Sequence, residues 1–194
     1  MLAATAARLN RDAGGPAIPS LFFFTDPERT PDPLAATRRL PRGTAVVYRH
    51  FGADDRVQIA RKLAALCRSR GLVFLVGADA ELARACRADG VHWPERLMPR
   101  TRGAEFRFVT AAAHNAKSAA KASEAGFDAC VLSPIFETRS AAARETLGLF
   151  SASQIARASA IPVIALGGVN ARNVTRLSGR GFAGVAAIDA LLDA

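Results

Sequence analysis

Short apolar runs recur along the chain, and they alternate with segments whose apolar residues are spaced as in helices. The run from Leu21 to Phe24 contains no polar position. Such runs predict buried parallel strands, because a strand covered on both faces does not alternate between apolar and polar residues. Eight strands are predicted on this basis: Leu21–Thr25, Thr44–Arg49, Leu72–Val76, Gly90–Trp93, Phe106–Ala111, Ala129–Ser133, Pro162–Gly167 and Gly184–Ile188.

The segments between the predicted strands favour helices. Asn115 and Ser151 are expected to cap two of these helices, since both residue types are strong N-caps. Residues 170–178 are predicted to form another helix directly after the seventh strand. Residues 1–18 are predicted to be an N-terminal helical extension that precedes a single domain at 19–194.

Apolar strands separated by helices require a parallel sheet whose outer face is covered. Eight strand–helix units predict an α/β fold, a single-domain (β/α)8 TIM barrel that closes with a helical turn at 189–194. The chain has 194 residues, fewer than the roughly 250 typical of this fold, so the barrel is expected to be compact with shortened helices. A doubly wound open sheet is the alternative that this pattern leaves open.

Composition narrows the class of protein only modestly. The net charge is +9, but the basic residues are spread along the chain instead of clustering with aromatic residues. This distribution does not favour nucleic-acid binding, and it suits a small anionic ligand equally well. The chain has no apolar run of 18 residues and no recognisable signal peptide, so a cytoplasmic protein without membrane attachment is expected. Its three cysteines show no metal-binding spacing and are expected to be buried and reduced.

Candidate catalytic residues follow from the barrel itself. Active sites of (β/α)8 barrels lie where the strands end and the βα loops begin. His50, His92 and His114, the only histidines of the chain, all fall at such positions. Histidine is suited to acid–base catalysis, because its pKa lies near neutral pH. A histidine held by a backbone partner in a loop is the alternative explanation at each position.

Gly167 and Gly168 form the clearest candidate binding element. They follow a buried strand and precede a predicted helix, so the backbone can approach a ligand and the helix N-terminus can offer free N–H groups. This combination indicates a phosphate site. A tight turn that needs positive φ angles is the competing structural explanation.

Several motifs resemble the thiamine phosphate synthase and TenI thiazole tautomerase superfamily. They are Ser-Pro-Ile-Phe-Glu-Thr at 133–138, Leu-Gly-Leu at 147–149, the segment 161–174 around the two glycines, Gly-Phe-Ala-Gly-Val-Ala-Ala-Ile at 181–188, and Ala-Asp-Gly-Val-His at 88–92. The resemblance covers about residues 20–192. It implies a TIM barrel of thiamine metabolism that acts on a small phosphorylated heterocycle.

The resemblance also implies a reaction and a set of site residues. The synthase joins a pyrimidine pyrophosphate to a thiazole phosphate, and Mg2+ neutralises the departing pyrophosphate. In this chain the resemblance assigns Arg49 to the pyrophosphate, Asp79 and Glu95 as substitute Mg2+ ligands if synthase activity is retained, and a phosphate-binding set of Thr138, Arg139, Ser140, Gly167 and Gly168.

The chain departs from the family pattern at most of the other catalytic positions. Residues 47–51 read Val-Tyr-Arg-His-Phe where the family has Gln-Leu-Arg-Glu-Lys, and Gly77-Ala78 replaces an Asn-Asp pair. Pro134 stands where the tautomerase has its proton-transferring histidine, and Asp189 stands at a phosphate-binding serine. These departures predict that the catalytic residues are largely degenerate.

Three functions therefore remain open from the sequence. The first is a non-catalytic or regulatory protein that binds a phosphorylated thiazole-type ligand. The second is an active synthase with replaced metal ligands, and the third is a tautomerase that transfers protons with His92 or His114. His92, His114, Arg49 and His50 are the candidate catalytic residues, and a homodimer is compatible with all three functions.

Overall fold

The computed structural model describes residues 1–138, 145–188 and 191. Its strands are β1 (Leu21–Phe24), β2 (Ala45–Tyr48), β3 (Val73–Gly77), β4 (Gly90–Trp93), β5 (Phe108–Ala113), β6 (Ala129–Leu132), β7 (Val163–Ala165) and β8 (Gly184–Ala187). Its α-helices are α1 (Leu2–Asp12), α2 (Pro33–Arg38), α3 (Arg56–Arg70), α4 (Ala80–Cys86), α5 (Ala116–Glu124) and α6 (Gly148–Ala158). Two short 3-10 helices lie at Glu95–Leu97 and Val174–Leu177.

The eight strands form one closed parallel barrel in the order of the sequence. The decisive pairing joins the first strand to the last, with Leu21 beside Val185 and Phe23 beside Ala187. An open doubly wound sheet has no such pairing, so this alternative is wrong and the predicted (β/α)8 barrel is confirmed. Within the described residues the barrel is a single domain.

Apolar residues pack in two layers on either side of the strands. Phe22, Phe24, Val47 and Leu75 belong to a cluster that includes no helical residue, so it fills the inside of the barrel. The strand residues between them pack outwards against the helices, as Phe23 does. Because both faces of each strand are covered, the strands contain the uninterrupted apolar runs seen in the sequence.

Helix α1 lies within the predicted N-terminal extension and packs on the barrel beside β8 and β1. Leu2, Ala6 and Leu9 are its buried apolar residues, and they share one face because they are four and three positions apart. Arg8 adds a hydrogen bond of 2.9 Å from its Nη2 to Ser178 Oγ. These contacts make α1 the cover of the seam where the barrel closes.

Several element boundaries differ from the sequence prediction. Strand β5 lies two residues later than predicted, and Ser151 lies inside α6, whose N-cap is Leu147. The helix predicted at 170–178 is only the four-residue 3-10 helix. The closing turn predicted at 189–194 lies outside the described residues except for Leu191. No helix of the described chain is both long and apolar enough to cross a membrane.

Candidate functional site

A cavity of about 1010 Å3 opens at the carboxyl ends of the strands. Its walls come from the last residues of the strands and from the loops that follow them, as expected for a barrel of this class. The residues that line it include Phe24, Asp26, Arg29, Arg49, Phe51, Gly77, Ala78, His92, Arg96, Leu97, His114, Ser133, Pro134, Glu137, Thr138, Gly167, Gly168, Val169 and Asn170.

The charged side chains in the described lining are mainly basic. Arg29, Arg49 and Arg96 are opposed by Asp26 and Glu137. An excess of positive charge in a concave site attracts an anion, because the low-dielectric walls weaken the screening by water. The cavity is therefore electrostatically suited to an anionic ligand.

His92 projects into the cavity from β4 and is buried. Its Nδ1 lies 2.9 Å from Thr110 Oγ1, and its ring meets Phe24 edge-on at 5.0 Å between centroids. Burial, with a further contribution from the charge of Arg49, lowers the pKa of His92 from 6.5 to about 3. His92 is therefore neutral at physiological pH and is a poor proton acceptor.

His114 has a different environment in the loop between β5 and α5. Its Nδ1 lies 2.7 Å from the carbonyl oxygen of Ser133, which can only accept a hydrogen bond. Nδ1 must therefore carry the proton, and the neutral ring has its free electron pair on Nε2. That nitrogen lies 4.0 Å from Glu95 Oε2. His114 lines the cavity, so its free nitrogen is the better placed of the two for proton transfer.

His50 is absent from the described cavity lining. It is buried beside β2, with its ring stacked on Tyr48 at 5.1 Å between centroids. Burial lowers its pKa, and the positive charge of Arg49 contributes to this, whereas Asp26 and Asp55 oppose it. This packing favours a structural role for His50 over the catalytic role that its position in the sequence suggested.

Arg49 is held at the cavity wall by the end of β1. Its Nε donates to the carbonyl oxygen of Thr25 at 3.0 Å, and its Nη2 lies 3.5 Å from Asp26 Oδ2. The guanidinium also lies over the ring of Phe24, 5.2 Å from the centroid. Arg49 is thus a positioned positive charge that faces the cavity, which fits its predicted role toward an anionic group.

Asp79 does not line the cavity in the described structure. Its Oδ1 accepts from the backbone N–H of Leu82 and thereby caps α4, and its Oδ2 binds Arg56 Nη1. Burial alone would raise its pKa, but the hydrogen bonds from Leu82 and Arg56 outweigh burial and lower it. Both carboxylate oxygens therefore accept hydrogen bonds from groups of the protein.

The donor set does not fit a Mg2+ site. Glu95, the other predicted ligand, belongs to the 3-10 helix after β4 and approaches His114. Among residues 1–138, 145–188 and 191, no three His, Cys, Asp or Glu side chains lie together in a way that could hold a metal ion. Mg2+ prefers several oxygen ligands in octahedral geometry, which Asp79 and Glu95 do not supply as the chain is folded.

Close packing explains why positions 167 and 168 are both glycine. A Cβ at Gly167 would lie 2.6 Å from Pro134 Cα, and a Cβ at Gly168 would lie 2.3 Å from the carbonyl oxygen of Glu137. Both residues have positive φ angles, +91° and +65°. The loop after β6 packs directly on this corner, and Phe136 N donates to Gly167 O at 3.0 Å. Glycine is required here for loop packing, whether or not a ligand binds.

The backbone beyond Gly168 is fixed by two asparagines. Asn173 Nδ2 and Asn170 Nδ2 both donate to the carbonyl oxygen of Gly168, at 2.8 and 3.1 Å. The N–H of Asn170 is taken by Asn173 Oδ1 at 2.9 Å. The corner therefore has a set orientation, but it leads to a short 3-10 helix. The helix N-terminus expected to assist phosphate binding is not present at this corner.

The structure brings together most of the predicted site residues. Arg49, His92, His114, Thr138, Gly167 and Gly168 line one cavity, whereas His50, Asp79 and Glu95 are absent from its described lining. The predicted phosphate ligands Arg139 and Ser140, and also Asp189, lie outside the described residues.

Sequence reasoning did not propose several residues of the cavity wall, among them Phe51, Arg96 and Leu97. Phe51 and Leu97 are exposed although large and apolar. The position of these residues in the sequence could have indicated them, because each lies in a loop that follows a barrel strand. Functional residues of barrels are concentrated in such loops.

A closed (β/α)8 barrel with a basic cavity at the carboxyl ends of its strands has the architecture of barrel enzymes and their binding-protein relatives. A sequence model of the thiamine monophosphate synthase family matches residues 21–191. The chain belongs to this family.

Individual relatives agree with the family assignment. The thiamine-phosphate synthase of Chlorobium luteolum is 32% identical over 188 residues, which cover 92% of this chain and 88% of the relative. The thiamine-phosphate synthase of a Nostoc species is 30% identical over 180 residues, which cover 90% of this chain. The chain spans about half the length of that Nostoc protein (51%).

A solved structure supports the same grouping. The thiamine phosphate pyrophosphorylase of Pyrococcus furiosus superimposes with a TM-score of 0.79 and 27% sequence identity. The superposition covers 91% of this chain and 88% of the other. The resemblance inferred from short motifs is therefore confirmed at the level of fold and family.

Proposed function

We propose that this chain binds a phosphorylated thiazole-type heterocycle in the cavity, with its catalytic residues for synthase chemistry largely degenerate. The observation that carries the proposal is the composition of the cavity wall. It combines the backbone corner at Gly167 and Gly168 with an excess of arginine side chains, including the positioned Arg49. Backbone N–H groups and arginines are the usual partners of a phosphate ester.

The proposed degeneration of the synthase residues is argued from Asp79 and its surroundings. The carboxylate caps α4 and binds Arg56, while Gly77 and Ala78 offer no carboxylate at the end of β3. Relatives named thiamine-phosphate synthase make an active synthase the main competing function. The location that goes with the proposal is the cytoplasm, in keeping with three buried free cysteines.

Calorimetric titration with thiazole phosphate tests the binding. Measurable affinity is expected for thiazole phosphate, with much weaker affinity for the dephosphorylated thiazole alcohol. Equal affinity for the two compounds would remove the phosphate corner from the proposal. A parallel assay supplies pyrimidine pyrophosphate, thiazole phosphate and Mg2+, and it measures thiamine phosphate and pyrophosphate. Sustained turnover would replace this proposal with the active synthase.

A proton-transfer function is favoured by one specific observation. The Nδ1 proton of His114 is fixed by Ser133 O, so the electron pair of Nε2 is available in the neutral ring. A base of this kind would exchange a carbon-bound proton of the ligand with solvent deuterium. Exchange that disappears in His114→Gln but persists in His92→Gln would support this function. Exchange that persists undiminished in His114→Gln would exclude His114 as the base.

A further inference from the structure

The rim of the cavity has an apolar sector beside β3. Phe51 follows β2 and is 57% exposed, and Leu97 follows β4 and is 48% exposed. Both line the cavity, with Gly77 and Ala78 between them. Since β2, β3 and β4 are neighbours in the barrel, these residues form one side of the opening. Exposed aromatic surface in a concave site is a typical ligand contact.

The ring of Phe51 has protein contacts although most of its side chain is exposed. The guanidinium of Arg56 lies 5.6 Å from the ring centroid. Arg56 is itself fixed, because it binds Asp79 Oδ2 and donates from Nη2 to the carbonyl oxygen of Gly77 at 3.2 Å. Such contacts restrict the ring, which lowers the conformational entropy lost when a ligand packs on it.

The absence of a side chain at Gly77 allows the ring to lie close to the end of β3. A Cβ at Gly77 would lie 3.3 Å from Phe51 Cζ and 3.0 Å from the carbonyl oxygen of Tyr48. The edge of the ring therefore rests on bare backbone, while more than half of the side chain is exposed. This arrangement leaves aromatic surface at the cavity while fixing where that surface lies.

The apolar sector lies opposite the proposed phosphate corner. Strand β3 is four places from β7 in a closed ring of eight, so the two lie on opposite sides of the opening. A phosphate at the Gly167–Gly168 corner therefore leaves the remainder of the ligand pointing across the cavity. Arg49 and Arg96 line the same cavity, and their positive charge disfavours a cationic ring there.

We infer that Phe51 is a specificity-determining residue that stacks on the uncharged aromatic ring of the ligand. The inference rests on the proposed function, since it assumes a phosphate ester bound at the opposite corner. Aromatic stacking favours flat unsaturated rings over alkyl groups of the same size, because two π-systems in offset contact attract each other beyond the apolar area that they bury. Phe51 thereby selects aromatic phosphate esters from among other small phosphates.

Calorimetry with two ligands and four proteins tests the inference. The ligands are thiazole phosphate and n-butyl phosphate, and the proteins are the wild type, Phe51→Ala, Phe51→Trp and Phe150→Ala. Phe150 is the matched control, because it is 72% exposed on α6 and absent from the described cavity lining. We expect Phe51→Ala to weaken thiazole phosphate binding about fivefold to thirtyfold and butyl phosphate binding by less than about threefold.

The other proteins separate stacking from a change in the fold. Phe51→Trp retains an aromatic face and is expected to bind thiazole phosphate within about threefold of the wild type. Phe150→Ala should match the wild type with both ligands. Equal weakening of both ligands by Phe51→Ala, or no weakening of either, would overturn the inference alone. Failure of the wild type to bind thiazole phosphate would overturn the proposed function and the inference together.

Discussion

Substitution of Gly168 by alanine tests whether the loop after β6 and the glycine corner form one unit. A residue with a Cβ at φ +65° carries strain of about 1–2 kcal/mol. The new Cβ would also stand 2.3 Å from Glu137 O and 2.9 Å from Phe136 Cβ. Relief requires the loop to move by about 1 Å, and overpacking of this kind costs about 1–3 kcal/mol. The expected total is about 2–5 kcal/mol in the free energy of unfolding.

Gly179→Ala provides a matched control for the strain alone. Gly179 has a φ of +69°, nearly the same as Gly168, but nothing lies within 4 Å of where its Cβ would be. Its expected cost is therefore about 1–2 kcal/mol. Urea unfolding measures the free energy of unfolding of both variants. In thermal unfolding, each kcal/mol of destabilisation should lower Tm by about 2–4 °C in a chain of this size. Only Gly168→Ala is expected to weaken phosphate-ester binding, because only its loop borders the cavity.

Equal destabilisation by the two alanines would refute this reasoning. It would mean that Glu137 and Phe136 yield without cost, so the loop would not be packed on the corner as the structure describes. Amide exchange at Phe136, whose N–H donates to Gly167 O, gives an independent measure. Faster exchange is expected in Gly168→Ala only.

Three further predictions concern stability and its dependence on pH. Leu9→Ala should cost about 2–5 kcal/mol in urea unfolding, since Leu9 is 1% exposed and its helix covers the seam of the barrel; a loss below about 1 kcal/mol would contradict that packing. Asp79 has a lowered pKa, so its stabilisation is present above its ordinary pKa of 3.8 and is lost as pH falls below it. Asp79→Asn should be less stable than the wild type at neutral pH and should lack this acid-dependent loss. A variant whose free energy of unfolding depends on pH as in the wild type would disprove the prediction. His92 has a pKa of about 3 instead of 6.5, so unfolding takes up a proton between these values and wild-type stability falls as pH drops from 6.5 toward 3. His92→Gln should flatten that slope, and an NMR titration midpoint near 6.5 for His92 would contradict its burial.

The fold was predictable because strands that are buried on both faces contain uninterrupted apolar runs, which can be recognised in the sequence. The segment Gly90–Trp93 was predicted with its observed bounds, and other strands differed at their ends. The helix after β7 was not predictable in the same way. Asn170 and Asn173 use their side chains to tie the loop to Gly168 O, and these local bonds compete with the helical backbone pattern.

The three histidines show where sequence reasoning about the site stops. All three lie at or just after the carboxyl end of a predicted strand, so strand position alone does not distinguish them. Their chemistry differs because His92 is buried beside Thr110, whereas the ring of His50 stacks on Tyr48 and is absent from the described cavity lining. Only His114 combines a fixed tautomer with access to the cavity. Burial and tautomer depend on contacts with the neighbouring strand, such as Thr110 beside His92 and Ser133 beside His114, which strand position alone does not encode.

Asp79 and Arg56 connect the end of β3 to the apolar sector of the cavity. Asp79 follows a strand end, where a metal-binding carboxylate is expected, yet it binds Arg56 and caps α4. That same arginine lies over Phe51, so the ion pair and the exposed ring form one structure. Arg56 thus neutralises Asp79 from within the protein and also contacts the aromatic surface of Phe51. Under the proposed function, the β3 side of the cavity receives the uncharged ring of the ligand and the Gly167–Gly168 side receives its phosphate.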